Sequence, residues 1–202
     1  ASPRIAPHLS WGWGYPLFTF IYPLPYYIGA LLNLFGLGLT DSVKILHLLA
    51  FVLSALFMYL FVNKWGTKAG LISTTLYTLA PYRAVVTYVR GALGEAWVFV
   101  FIPLIFWRLD KFCEKQNGIN LALLILASGG FLLTHNIAVL MFAPILLSYG
   151  IYKIVNCKIG LKEVLKVGIG TTFLVGCFWI PALVYKNKMV DNPIFNVADH
   201  LP

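Results

Sequence analysis

The sequence predicts an all-α integral membrane protein in which about six or seven membrane segments form one helical bundle. The first observation is composition: 60% of the 202 residues are hydrophobic and 11% are charged, whereas soluble domains carry about 25% charged residues. The second is a mean hydropathy of +0.83. The third is that the charges lie in short islands between apolar runs. We expect residues 1–202 to form a single, partial transmembrane domain.

The first element, residues 1–42, is predicted to be an outer loop with an aromatic juxtamembrane segment. Its stretch WGWGYPLFTFIYPLPYY, at 11–27, has no charged residue and is rich in proline. Proline disfavours an ordinary membrane-spanning helix, and Trp and Tyr favour the water–lipid boundary. We expect a lid or wall of an outward-facing cavity; the alternative is a simple interfacial anchor. Residues 23–39 are compatible with a thin span, a re-entrant helix or an interfacial helix.

Six membrane spans are predicted within residues 43–185, since a span needs roughly 20 apolar residues. Pro81 and Arg83 interrupt the second span, and Glu95 lies near the start of the third. The predicted spans are 43–62, 69–89, 92–107, 119–134, 137–155 and 167–185.

Positive charge predicts which ends of the spans face the cytoplasm. Nine of the 15 Lys and Arg residues lie in the loops 64–68, 108–115 and 153–166, which alternate along a six-span chain. Cytoplasmic loops are enriched in Lys and Arg. We therefore expect these loops inside and residues 1–42 and 186–202, the start of an outer segment, outside. The same rule accounts for the net charge of +8 without a nucleic-acid partner.

Two arginines and a glutamate gather at the predicted outer ends of the second and third spans. In a regular helix Arg83 and Arg90 lie about 20° apart on one face, and guanidinium groups match the geometry of phosphate. Glu95 follows Gly91 and Gly94, which permit a turn or a close backbone approach. These residues suggest an anion site. The alternative is that each arginine reaches lipid headgroups or pairs with Glu95.

A second polar island, Thr134, His135 and Asn136, interrupts nearly apolar sequence and is predicted to form a tight outer turn. The functional interpretation places His135 in the same outer cavity as Arg90 and Glu95; the alternative is a turn that merely binds water. A third island, in the outer tail, contains Asp191, Asp199 and His200.

Several kinds of chemistry are not indicated. The sequence has no Walker loop, GxSxG elbow, HExxH or CxxC, and no metal ligands are assigned. The cysteines Cys113, Cys157 and Cys177 are odd in number and widely spaced, which suits neither a disulfide framework nor a zinc site. We interpret them as small apolar residues.

Three blocks, GWGYPLFTFIYPLPYYIGALL, LFVNKWGTKAGLISTTLYTLAPYRAVVTYVRGALGEAW and LLTHN, resemble a bacterial membrane protein family described as 6-pyruvoyl-tetrahydropterin synthase-related. The sequence has no soluble pterin fold or metal-histidine set, so this description predicts no pterin chemistry. The pattern is similar to that of the GT-C superfamily of polyprenyl-phosphate-sugar-dependent glycosyltransferases, in which a proline-containing aromatic segment belongs to a juxtamembrane helix of the first outer loop.

The resemblance implies a GT-C-like enzyme of the bacterial cytoplasmic membrane whose cavity opens to the outer face. A polyprenyl-phosphate-linked sugar enters from the lipid bilayer, and the acceptor is a glycan, a lipid or a protein. A divalent metal ion is compatible with this chemistry, but no cofactor is assigned. In GT-C enzymes the catalytic acid follows a first span, so we expect it upstream of Ala1 and assign no catalytic residue within the chain.

Within the chain, substrate-binding roles are expected for several residues. Arg83 and Arg90 are expected to hold the lipid phosphate. Glu95 and His135, with Asn136 beside them, are expected to shape the sugar or acceptor pocket or to orient a metal. Four tyrosines are expected to line the entry and to stack on sugar or isoprenoid: Tyr15, Tyr22, Tyr26 and Tyr27.

Two other classes of function use the same features. A transporter or flippase of lipid-linked or anionic solutes also combines arginines with broken helices, although no comparable polar site lies near mid-membrane in the sequence. A non-catalytic subunit of an envelope-assembly complex is the third possibility, favoured by the missing acid. The sequence does not identify the sugar, the acceptor, the lipid length or the oligomeric state.

Overall fold

The computed structural model describes the backbone of residues 17–190, the side chains of residues 17–185, and four separate earlier residues: Ala6, His8, Trp11 and Tyr15. From residue 17 onward the described chain is helical. The helices are α1 (Leu17–Phe20), α2 (Leu24–Leu34), α3 (Leu39–Val62), α4 (Thr67–Thr78), α5 (Pro81–Ala84), α6 (Leu93–Glu114), α7 (Gly118–Leu132), α8 (Asn136–Asn156) and α9 (Leu161–Val190), with a 3-10 turn at Asn63–Trp65 and a π-helical turn at Val85–Val89.

Three helices of the described chain are long and apolar enough to cross a membrane: Leu39–Trp65, Asn136–Asn156 and Leu161–Tyr185. This finding confirms the prediction of an all-helical membrane protein, but with fewer qualifying helices than the six or seven spans expected. α7 has 15 residues and α4 has 12, which correspond to about 22 and 18 Å at 1.5 Å per residue. α6 has the length to span, but it carries charged residues near both ends.

α6 is the central helix of the bundle. It packs against α3, α7 and α8, while α4 packs on α3 and α9 packs on α7. Residues 94–100 are all buried, and further along the helix Ile102 and Ile105 form a core with Phe131 of α7 and Leu146 of α8. A helix that is apolar on every side is stable only when other elements surround it, which explains the central position of α6.

The three basic loops that were predicted to share one side of the membrane meet at one end of the bundle. Lys64, just after α3, and Lys153, near the end of α8, both bind Asp110 near the end of α6. Ile159, in the turn before α9, packs against Phe112 of α6. We call this end, defined by these residues, the basic end.

Two cysteines also meet at the basic end, which corrects the interpretation of all three as unpaired apolar residues. Cys113 of α6 and Cys157, the residue after α8, form a disulfide with Cα atoms 5.6 Å apart. They are 44 residues apart in sequence. The pair forms because α6 and α8 run in the same direction and end side by side.

The described part of the aromatic segment, from Leu17 onward, forms two short helices, α1 and α2. α2 has 11 residues, about 16 Å, which is too short to cross a bilayer alone. Pro25 lies in its first turn, where a missing N–H costs no intrahelical hydrogen bond. The Leu24 N–H donates to the Leu133 carbonyl at 3.2 Å, so the segment is attached to the turn between α7 and α8.

Candidate functional site

A buried carboxylate, Glu95, lies in the first turn of α6, at the end of that helix opposite the basic end. It accepts two hydrogen bonds from Arg90, from Nη2 to Oε1 at 2.6 Å and from Nη1 to Oε2 at 2.9 Å. The Tyr82 hydroxyl donates to Oε2 at 3.0 Å. The partial positive charge at a helix N-terminus favours the carboxylate, and the bidentate pair fixes the plane of the guanidinium.

A π-helical turn and a glycine bring Arg90 back to Glu95. The turn covers Val85–Val89, and the Arg90 N–H donates to the Val85 carbonyl at 2.9 Å. Gly91 has a φ of 57°, a left-handed conformation that glycine adopts without strain. π-helical turns are rare in proteins, and many of those that do occur lie at functional sites.

Arg83 does not share a face with Arg90, which differs from the expectation based on a regular helix. The Arg83 side chain is buried, and its guanidinium carbon lies 5.1–5.6 Å from three ring centroids, those of Phe51, Tyr77 and Phe99. Its Nη1 has no hydrogen-bond partner in the described chain. The expectation assumed about 100° of rotation per residue, and the π-helical turn between the two arginines changes that rotation. Arg83 is therefore a buried cation held by cation–π contacts.

His135 approaches Glu95 from the turn between α7 and α8. Its Nδ1 accepts the N–H of Ala138 at 3.1 Å and so caps α8. In the neutral ring the proton is then on Nε2, which lies 3.8 Å from Glu95 Oε1. Burial lowers the pKa of His135, so the neutral ring predominates at pH 7 and presents an N–H towards the carboxylate.

Tyr22 packs against His135, and Gly94 makes room for it. The ring centroids of Tyr22 and His135 are 4.8 Å apart. A Cβ atom at Gly94 would lie 2.3 Å from the Tyr22 ring and 2.9 Å from the Thr134 carbonyl oxygen. Of the two roles that the sequence allowed for these glycines, Gly94 has the close approach and Gly91 the turn. Burial raises the pKa of Tyr22 to about 12, so its hydroxyl stays protonated at neutral pH.

Other predicted site residues surround this cluster. Tyr26 stacks on Tyr22 with ring centroids 6.0 Å apart, and both Tyr26 and Tyr27 are exposed. Asn136 donates from Nδ2 to the Phe20 carbonyl at 3.2 Å. Asn136 therefore anchors the aromatic segment, a contact that its place in a polar turn did not predict.

The remaining predicted residues do not enter the cluster. Tyr15 forms backbone hydrogen bonds with Ala6, and within the described part of the chain its ring does not contact the site residues. Asp191, Asp199 and His200 lie outside the described residues. Among the residues that are described, no three His, Cys, Asp or Glu side chains are placed to hold a metal ion.

A second buried carboxylate, Asp110 at the basic end, was missed at the level of sequence. Lys153 Nζ lies 2.5 Å from its Oδ1, the Tyr149 hydroxyl donates to the same oxygen at 2.7 Å, and Lys64 donates to Oδ2. Two ammonium groups thus share one carboxylate and join α3, α6 and α8. An acidic residue near the end of an apolar helix, between basic loops, was the signal that could have revealed it.

These features define a helical membrane protein with a buried carboxylate–guanidinium pair at one end of its bundle. A family model described as "6-pyruvoyl-tetrahydropterin synthase related domain; membrane protein" matches residues 18–195. The chain belongs to that family.

One relative is an uncharacterized protein of Lactococcus lactis subsp. cremoris (strain MG1363). It is 25% identical over 178 residues, which cover 85% of this chain. The chain spans 29% of the length of that relative. No solved structure matches the chain significantly.

Proposed function

We propose that this chain is part of a GT-C-like glycosyltransferase of the bacterial cytoplasmic membrane. It takes a polyprenyl-phosphate-linked sugar at the outer face and passes the sugar to a glycan, lipid or protein acceptor. The observation that carries the proposal is the guanidinium of Arg90, half-exposed and fixed by the buried Glu95 beside an aromatic segment. Membership of a membrane protein family and several apolar helices support access from the bilayer.

In the proposed membrane arrangement six segments of the chain cross the bilayer. α3, α6, α7, α8 and α9 cross the bilayer, and α4 crosses together with α5 and the π-helical turn, while α1 and α2 lie in the outer loop. The basic end faces the cytoplasm because Lys and Arg are enriched there, and the Cys113–Cys157 disulfide at this end is then expected to be reduced in the cell. The Arg90–Glu95 pair then faces outward, which suits a donor presented on the outer leaflet.

Arg90 is suited to hold the phosphate of the donor. A guanidinium has five N–H donors, and the bonds to Glu95 engage one hydrogen each on Nη1 and Nη2. Nε and the second hydrogen of Nη2 have no partner in the described chain, so they are available to phosphate oxygens.

Transfer breaks the bond between the sugar carbon and the phosphate oxygen and forms a bond from that carbon to the acceptor oxygen. The acceptor proton goes to a base, for which we assign no residue in this chain, and the polyprenyl phosphate leaves. Arg90 stabilises the charge that develops on that phosphate. The exposed rings of Tyr26 and Tyr27 offer a stacking surface for the sugar or the isoprenoid, while Tyr22 and His135 form the wall behind Glu95.

Binding to the purified chain in nanodiscs tests this proposal. Polyprenyl phosphate should bind, and the polyprenol of the same length without phosphate should bind much more weakly, because the charge supplies the recognition. Equal binding of the two lipids would contradict a phosphate site. Binding that is followed by movement of the lipid across the bilayer would favour a flippase instead.

A further inference from the structure

An apolar groove lies on the side of the bundle formed by α6, α7, α8 and α9. Its volume is about 480 Å³, and it extends from Leu132 at the end of α7 to Ile159 in the turn between α8 and α9. Nearly all lining side chains are apolar; the two polar ones are Ser128 and Glu163. None of the residues of the Arg90–Glu95 site lines it.

Glycines keep the groove open. Gly150 of α8 and Gly168 of α9 both line it, and a Cβ atom at either position would meet no atom within 4 Å. α8 packs on α6 and α9 packs on α7, which leaves the space between α8 and α9 unfilled. Both helices are long and apolar enough to cross a membrane, so the groove lies at the depth of lipid chains.

The groove ends beside unpaired positive charge. Lys158 and Lys162 flank the lining residues Ile159 and Glu163, and neither lysine has a hydrogen bond or ion pair in the described chain. Glu163 is paired with Lys166 at 2.7 Å. The turn between α8 and α9 therefore has two cations free for a ligand at the basic end.

We propose that this groove binds one acyl chain of an anionic bilayer phospholipid, whose phosphate lies at Lys158 and Lys162. A lipid chain gains little hydrophobic free energy by moving from the bilayer to a protein groove, since both surroundings are apolar. Occupancy then depends on packing in the groove and on attraction between the headgroup and the lysines. Each lysine near a membrane surface adds modest attraction for anionic lipid. The headgroup site is separate from the donor site, because Lys158 and Lys162 lie at the other end of the bundle and no residue of the Arg90–Glu95 site lines the groove.

Filling the groove tests the proposal. The chain is reconstituted in vesicles of phosphatidylglycerol and phosphatidylethanolamine, extracted in mild detergent, and examined by native mass spectrometry. The wild type should retain one phosphatidylglycerol per chain. Gly168→Trp should lose it, because the indole occupies the groove, while Ile169→Trp should retain it, since Ile169 is exposed and does not line the groove. Gly150→Leu is a second filling variant that also removes a helix-destabilising glycine.

A separate variant of the protein tests the proposed headgroup site. Lys158→Gln with Lys162→Gln should lower the preference for phosphatidylglycerol over phosphatidylethanolamine roughly tenfold, with the chain still folded. Retention of the lipid by both filling variants would overturn the proposal, as would an unchanged preference in the double lysine variant. If polyprenyl phosphate added to the same vesicles replaces phosphatidylglycerol in the wild type, the groove belongs to the donor. If the wild type is a dimer and the filling variants are monomers, the groove belongs to a second copy. Either of these last two results also overturns the proposal of a phospholipid site.

Discussion

Replacing Arg90 with alanine is expected to abolish phosphate-dependent binding of polyprenyl phosphate while the protein stays folded. The guanidinium is half-exposed and makes its hydrogen bonds to Glu95 and Tyr82, so its loss removes no core packing. It does leave the buried Glu95 without its ionic partner, which lowers stability, so thermal unfolding of the variant is measured beside binding. It does remove the donors that we assign to the phosphate. A hydrogen bond to a charged group contributes roughly 1.5–3 kcal/mol, which corresponds to a loss of at least about tenfold in affinity. Titration of polyprenyl phosphate into nanodiscs that contain the wild type or the variant measures this loss of affinity.

Arg108→Ala is the matched control for that experiment. Arg108 also lies on α6, but it is towards the basic end and stacks on Trp107 with its guanidinium carbon 3.9 Å from the ring centroid. Its loss should leave polyprenyl phosphate binding unchanged. If Arg90→Ala binds the lipid as the wild type does, the phosphate assignment is wrong. If both variants weaken binding equally, the effect is one of general charge.

Replacing Asp110 with asparagine is expected to give the largest loss of stability. Lys153 and Lys64 both depend on this buried carboxylate, and an amide cannot balance their charge. Removing one partner of a buried ion pair costs about 3–5 kcal/mol, and the lower value applies because Lys64 is partly exposed. Thermal unfolding in detergent, compared with the wild type, measures the change.

Asp41→Asn provides the comparison for Asp110. Asp41 also pairs with a lysine, Lys44, but both side chains are more than 60% exposed. Exposed pairs contribute about 0–1 kcal/mol, so the unfolding temperature should barely change. Equal effects of the two substitutions would show that the Asp110 cluster is no more important than a surface pair.

Composition and charge were sufficient to predict the helical class and the two ends of the bundle. The apolar runs identify α3, α8 and α9 as membrane helices because length and hydropathy are local properties. The alternation of basic loops predicts that Lys64 and Lys153 lie at one end, since successive spans reverse direction. For Gly91 and Gly94 the sequence allowed a turn or a close backbone approach, and which glycine has which role depends on the fold.

The geometry of the site was less predictable because it depends on departures from regular structure. The separation of Arg83 from Arg90 follows from a π-helical turn, which has no strong sequence signal. The pairing of Cys113 with Cys157 and the contacts of Asp110 depend on which helix ends are adjacent. That adjacency is a property of the whole bundle, so spacing along the chain could not reveal it.

The most direct measurement is transfer of a labelled sugar from polyprenyl phosphate by the full-length protein that contains this chain, reconstituted in proteoliposomes with the donor accessible from the side that carries Arg90 and Glu95. We expect protein-dependent loss of label from the lipid, with the sugar recovered on an acceptor or on water, and no such loss with Arg90→Ala. A donor that binds through its phosphate but keeps its sugar under all conditions would contradict the glycosyltransferase proposal.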